Sequence, residues 1–248
     1  MVKGLDTFQR YFADYKEQYV LIGGAACDIL FESNEVNFRA TRDLDMVLIV
    51  EALTLEFGEK FWKFIVDGKY RNKATNGSNP QFYRFDKPED DNFPKMIELF
   101  CRSDFKLKNA KGITPIHIDD EVSSLSAILL NDDYYKALLN GKEVRNGLSV
   151  LRPEYLILFK AKAYLDLKMR KDLGEKVDSN DVKKHKKDIL RIASELLLEK
   201  VEELPIAVDA DIHSFIDLLE QEPFDQNSLK RYGLKNEEIV ELLKQVFG

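Results

Sequence analysis

The sequence predicts an α+β fold, in which a mixed β-sheet with flanking helices occupies residues 1–151 and a helical bundle occupies residues 152–248. Three observations predict it. Short apolar runs such as Tyr19-Val-Leu-Ile22 and Met46-Val-Leu-Ile-Val50 alternate with amphipathic segments in the first part of the chain. Strand-like patterning largely ends at Arg152-Pro153. From Glu154 onward the apolar residues recur at helical spacing.

The elements follow in order. Leu5, Phe8, Phe12 and Tyr15 define an amphipathic helix that ends near Gln18. Tyr19–Ile22 reads as a buried strand that turns at Gly23-Gly24 into a helix carrying Ala25, Ala26, Ile29, Leu30 and Phe31. A strand follows over Asp43–Val50, then a helix with Phe57, Phe61, Phe64 and Ile65 on one face, and a loop at Asn76–Pro80. Gln81–Phe85 and Lys95–Arg102 form an antiparallel hairpin across a polar, proline-bounded turn. Further short strands are expected near Ile113–Ile118, Leu125–Leu130 and Leu148–Leu151. In the helical part, Pro153 suits a first helical position, and Asp178 or Ser179 can cap a helix bearing Val182, Ile189, Ile192 and Leu196. Two more amphipathic helices are expected at about Asp211–Glu220 and Asn236–Phe247.

Composition bounds the function. A chain of 248 residues with 44% hydrophobic content can bury one large core or two small ones. A formal net charge of -7 argues against a protein that coats nucleic acid with a uniformly basic surface, so a nucleic-acid partner would need a local patch. The excess of lysines between Lys168 and Lys187 is such a patch, or an ordinary solvated helix surface. Cys27 and Cys101 sit in apolar contexts without disulfide or zinc spacing, which predicts reduced, buried thiols. His117 and His213 have no neighbours at metal-ligand spacing. With no signal-peptide pattern and no apolar run long enough to span a bilayer, the expected location is cytoplasmic, with no membrane partner.

The chemistry concentrates in Gly23, Gly24, Asp43, Asp45 and Glu98. Asp43 and Asp45 stand two residues apart on a strand, so both side chains leave the same face and repel unless water or a cation lies between them. Glu98 is a carboxylate inside the apolar run Met96-Ile-Glu-Leu-Phe100, a costly place for a charge. Three such carboxylates converging from neighbouring strands suit Mg²⁺ or Mn²⁺, two ions of which can activate an attacking oxygen and neutralise a departing pyrophosphate. A Gly-Gly turn at a helix start brings backbone amides and the helix dipole to a phosphate. Glu98 or Asp45 could also accept the proton of the attacking hydroxyl. Taken singly, each feature has a plainer reading: a tight turn, a solvated strand end, and a Glu98 paired with Arg84 across the hairpin.

In that order along the chain, these residues resemble the nucleotidyltransferase superfamily built on the DNA polymerase β-type catalytic fold. Arg39-x-Thr41-x-Asp43-Leu44-Asp45 is similar to a pattern of its AbiEii/AbiGii toxin-like group. The resemblance implies a nucleotidyltransferase-type mixed sheet with a C-terminal helical bundle, and transfer of a nucleoside monophosphate from an NTP. The implied metal ligands are Asp43, Asp45 and Glu98, and the implied nucleotide-binding residues are Gly23, Gly24, Arg39, Thr41, Lys160 and Asp188. It further implies tRNA or a protein as acceptor, and the toxin role of a type IV toxin–antitoxin or abortive-infection system with a cognate antitoxin. His185 departs from the pattern, standing where an aspartate is usual, and Arg170 is farther from Lys160 than the family spacing expects. Two rivals remain open: a small-molecule nucleotidyltransferase of the antibiotic-modifying kind, and a non-catalytic nucleotide-binding regulatory module. Lys160 and Lys162 could also simply snorkel from an amphipathic helix.

Overall fold

The computed structural model describes residues 2–32, 43–70, 82–100, 128–129 and 131–248, and two units result: Met1–Ile118 with Lys142–Leu151, and Asp119–Gly141 with Arg152–Gly248. The first unit carries α1 (Leu5–Phe12), β1 (Tyr19–Leu21), α2 (Gly23–Glu32), β2 (Asp43–Leu48), α3 (Leu55–Asp67), β3 (Phe82–Asp86), β4 (Met96–Phe100), β5 (Lys142–Arg145) and β6 (Leu148–Leu151). Its six strands form one mixed sheet in the order β3-β4-β2-β1-β6-β5. The pairs β2–β4 and β1–β6 are parallel and the other three are antiparallel.

Local chemistry explains the boundaries. α1 stops at Phe12 rather than near Gln18, and Lys16–Gln18 form a separate turn of 3₁₀ helix. The break frees Gln18 to serve the strands: its carbonyl accepts from Ile49 N at 2.9 Å and its side-chain oxygen from Thr54 N at 3.2 Å. Thr54 in turn caps α3 by accepting from Phe57 N. β5 and β6, with Arg145 opposite Leu148, turn through Asn146 and Gly147 at φ 47 and 74, the left-handed pair that a two-residue hairpin with matching twist requires. The buried face of α3 is the expected Phe57, Phe61, Phe64 and Ile65. These rings meet α1 and β1 in an aromatic core, with Phe12 at 4.6 Å from Phe8, 5.4 Å from Phe64, 5.7 Å from Phe57 and 6.2 Å from Phe61, centroid to centroid.

The second unit contains α4 (Asp132–Asn140), α5 (Pro153–Asp172), α6 (Ser179–Glu195), α7 (Ile206–Gln221), α8 (Gln226–Tyr232) and α9 (Asn236–Phe247). α5 begins on Pro153 and is buried on most sides, so it is the central helix of this unit. Asp178 caps α6 through its side chain, accepting from Asn180 N at 2.8 Å. The carboxylate of Asp133, on α4, accepts from Ala207 N in the first turn of α7 at 2.8 Å, satisfying an amide that the helix itself leaves open. Buried Asn236 bridges Leu219 O and Phe224 N.

The hairpin holds as β3 and β4, with Arg102 beyond the described residues. The strand near Ile113–Ile118 and the loop at Asn76–Pro80 lie outside them. Of the Leu125–Leu130 stretch only Ile128 and Leu129 are described, and they are helical and buried rather than extended. Among the described residues no helix is long and apolar enough to cross a membrane, and Cys27 is buried, while Cys101 lies outside the described residues.

Because Phe12 joins the two helices and β1 through one set of rings, Phe12→Ala should lower the unfolding free energy by about 3–5 kcal/mol, measured by urea denaturation.

Candidate functional site

The sheet register builds the site. β2 lies parallel to β4 with Asp45 opposite Glu98, and β3 lies antiparallel to β4 with Arg84 opposite the same Glu98. A cation, a carboxylate and a second carboxylate therefore stand side by side across three neighbouring strands. Asp43, two residues before Asp45, is opposite Met96 and shares Asp45's partial exposure, while Leu44 between them is buried, so both aspartates leave the more open face.

Glu98 is only 6% exposed. Arg84 holds it through one oxygen, with Nε donating to Glu98 Oε1 at 2.8 Å and a terminal guanidinium nitrogen donating to the same atom. The plain reading of Glu98 as the partner of Arg84 is thus realised, but it does not account for the whole group. Burial first, and then the Asp45 carboxylate, push the Glu98 pKa up to about 9 despite the arginine, and Glu98 is also hydrogen-bonded to the Asp45 side chain. Arg84 fixes where Glu98 points; Asp45 and burial decide how readily it carries charge.

Gly23 opens α2 at φ 62, directly against this pair. A methyl group placed on Gly23 would lie 2.1 Å from Asp45 Oδ2, so only glycine leaves room for the carboxylate where it is. Ile22 N donates to Asp45 O at 3.0 Å, fixing the turn to β2 from its other side. The first-turn amides of α2, from Gly23 and Gly24 onward, have no acceptor within the helix and carry the positive end of its dipole beside Asp45.

As a donor set, Asp45 and Glu98 suit a hard divalent cation, because an oxygen pair of like charge gains most from one. Among the described residues, no three His, Cys, Asp or Glu side chains are gathered closely enough to enclose a metal ion, so Asp43 and the Asp45–Glu98 pair are not drawn into one cluster. Arg39 and Thr41 lie outside the described residues.

The two helical candidates come together in the second unit. Lys160 on α5 donates to Asp188 Oδ2 on α6 at 2.8 Å, and both side chains are under 10% exposed. Lys160 does not snorkel; it is buried in a charged pair. His185 is also buried, one helical turn before Asp188 on α6. Lys162 faces Asp166 and Asp211, and Arg170 pairs with Glu175 at 2.7 Å. His213 is exposed, with Nδ1 beside Asp209 O.

No protein-family model matches the sequence, and no curated protein matches it significantly. Among solved structures, the chain is similar to an antigenic nucleotidyltransferase-like protein from Paracoccidioides brasiliensis over 93% of this chain and 95% of that one, at 15% identity and a TM-score of 0.44. A likeness at this level assigns neither substrate nor role.

Two predictions follow from the charges. The folded state keeps a proton on Glu98 where the unfolded chain has lost it, so this group's contribution to stability is complete below an ordinary carboxylate pKa and is lost as pH rises towards about 9. Without divalent cations, Glu98→Gln should therefore lose less stability than wild type between pH 5 and pH 9, read from denaturation midpoints across the range. Lys160→Met alone should cost on the order of 3–5 kcal/mol by taking the ammonium away from the buried Asp188 carboxylate, whereas Lys160→Met with Asp188→Leu should recover most of it. Loss of nucleotide binding in that refolded double variant would separate a functional lysine from a structural one.

Proposed function

We propose that this protein is a metal-dependent nucleotidyltransferase that moves a nucleoside monophosphate from an NTP to an acceptor hydroxyl. The single observation that supports it most is the Asp45–Glu98 carboxylate pair pressed against Gly23 at the start of α2. A phosphate-handling centre needs negative oxygens for a cation and open amides for the phosphates, and these residues supply both within one strand–turn–helix. Asp45 and Glu98 would hold Mg²⁺ or Mn²⁺, and Asp43, on the same open face of β2, would join them by a side-chain movement on binding. Bound there, the ion would supply charge neutralisation for the triphosphate and a more acidic attacking hydroxyl.

The rest of the work falls to the chain. The amides of Gly23 and Gly24 would bind and orient a phosphate oxygen. Arg84 keeps Glu98 Oε1 fixed, and once Glu98 has given up the proton that its buried place beside Asp45 favours, the carboxylate would take part in ligation or receive the hydroxyl proton. Arg39, Thr41, Lys160 and Asp188 complete the nucleotide-binding set we propose. The acceptor would be tRNA or a protein, and the biological setting that of the AbiEii-like toxin of a cytoplasmic type IV toxin–antitoxin or abortive-infection system, held in check by a cognate antitoxin. An antibiotic-type small molecule is the alternative acceptor.

Two observations favour a second reading, a non-catalytic nucleotide-binding regulatory module. Lys160 is already neutralised by Asp188, and the carboxylates near Asp45 are not drawn into a three-ligand cluster.

Asp45→Asn keeps the shape of the side chain and removes its charge. It should abolish transfer of label from α-³²P-NTP to total tRNA or total protein, a fall of at least 100-fold on the scale of removing charge stabilisation from a transition state, with an unchanged circular dichroism spectrum. Unchanged incorporation would overturn the mechanism; nucleotide binding by wild type without any incorporation would favour the regulatory module.

A further inference from the structure

The second unit contains a pocket of about 500 Å³ among α5, α6 and the segment leading into α8. Five lysines line it: Lys168 and Lys171 from α5, and Lys183, Lys186 and Lys187 from α6. Three carboxylates, Asp172, Glu222 and Asp225, stand in the same lining, so the walls carry an excess of positive charge. This is the basic stretch visible in the sequence, folded into a concavity rather than spread over a helix surface.

The lysines are not equivalent. Lys168 reaches Asp172 at 3.6 Å and Glu222 at 3.1 Å, and Lys171 donates to Ser179 Oγ at 2.9 Å. Among the described residues, Lys183, Lys186 and Lys187 make no ion pair within 4.0 Å. Lys186 is the most constrained of these. Its ammonium lies 5.6 Å from the ring centre of Tyr164 and 5.5 Å from that of Phe224, and it donates to the carbonyls of Glu222 and Pro223. Its direct contacts are neutral groups, and burial keeps its pKa below the usual lysine value although the Glu222 carboxylate, already paired with Lys168, acts on it from nearby. An anion in the pocket would give that charge a direct ionic partner, which among the described residues it does not have.

The two aromatic rings are themselves buried, at 5% and 3% exposure, and they serve the ammonium. They are not platforms for a stacked base. Recognition in this pocket is therefore of charge, not of base identity. Lysines act on phosphate as compact point charges that donate from several directions, and a phosphate monoester has close to two negative charges and three acceptor oxygens to receive them. The volume is in the range of small-ligand sites.

We propose that this pocket binds a phosphate monoester independently of the attached base, with Lys186 as the anchoring cation and Lys183 and Lys187 as outer contacts. The phosphate would be that of a free nucleoside monophosphate or of a 5′-phosphorylated RNA end. The proposal does not rest on the nucleotidyl-transfer reading, because it uses none of Asp43, Asp45 or Glu98.

Titration of the full chain with UMP, AMP, inorganic phosphate and uridine, in EDTA so that the carboxylate site is not loaded with metal, tests it by calorimetry. UMP and AMP should bind with affinities within about threefold of each other, inorganic phosphate should compete, and uridine should not bind. Lys186→Met should weaken UMP at least tenfold, and Lys183→Gln with Lys187→Gln should weaken it several-fold and flatten its salt dependence. Because the latter two side chains are exposed, that double variant decides the matter should Lys186→Met fail to fold. A 5′-phosphorylated RNA octamer that binds at least tenfold tighter than UMP and than its 5′-hydroxyl counterpart would identify a strand end as the source, and an octamer no better than UMP would identify the free nucleotide. No saturable UMP binding, or UMP binding unchanged in both the Lys186 and the Lys183/Lys187 variants, would overturn the proposal.

Discussion

The first unit turns on the confrontation between Asp45 and Glu98. Two carboxylates placed opposite each other on adjacent strands, one of them buried, make a costly arrangement that a sheet does not need for its own stability. Everything around the pair limits that cost or aims it. Arg84, one strand further on, offsets part of the burial of Glu98; α2 presents the positive end of its dipole; and Gly23 gives Asp45 Oδ2 a place that any side chain would fill. Local energetic cost that the surroundings hold in place is what a binding or catalytic site requires.

The second unit treats charge differently. Lys160 and Asp188 neutralise each other in the interior, an arrangement in which losing one partner costs far more than replacing both. Lys186 sits part-way to the surface with rings and carbonyls for neighbours. A matched buried pair fixes how two helices meet, whereas an ammonium whose direct contacts are rings and carbonyls retains its capacity to bind an anion. The same residue type thus has a different meaning at each position, set by whether a carboxylate pairs with it directly.

Much of this was legible in the sequence because the signals were local. The apolar spacing of Phe57, Phe61 and Phe64 marked the buried face of α3, and Pro153 and Asp178 marked helix starts. The polar, proline-bounded turn between two strand-like runs gave the hairpin, and the hairpin offered Arg84 as a partner for Glu98. What the sequence did not disclose depended on partners distant along the chain. α4 was missed although Asn131 caps it and Gly141 closes it, since its buried tyrosines offer a weak helical stripe; β5 was missed because Lys142-Glu-Val-Arg145 is polar and becomes a strand only by pairing with β6. The short α8 carries too few apolar residues to show a period. In the site, parallel pairing of β2 with β4 is a tertiary fact, so the register that sets Asp45 opposite Glu98 could not be read from either strand alone. The lysine-rich stretch was visible as charge, but its concavity depends on residues 222–225, a segment distant along the chain.

The central claim is that Asp45 and Glu98 form a cation-dependent phosphate-binding centre. Its most direct measurement is a Mn²⁺ titration followed by electron paramagnetic resonance, with and without a non-hydrolysable NTP, on wild type and on Asp45→Asn with Glu98→Gln. The account predicts saturable Mn²⁺ binding by wild type, strengthened by the nucleotide, and its loss in the folded double variant. Equal binding by the two proteins, or an affinity in wild type that the nucleotide does not change, would contradict it.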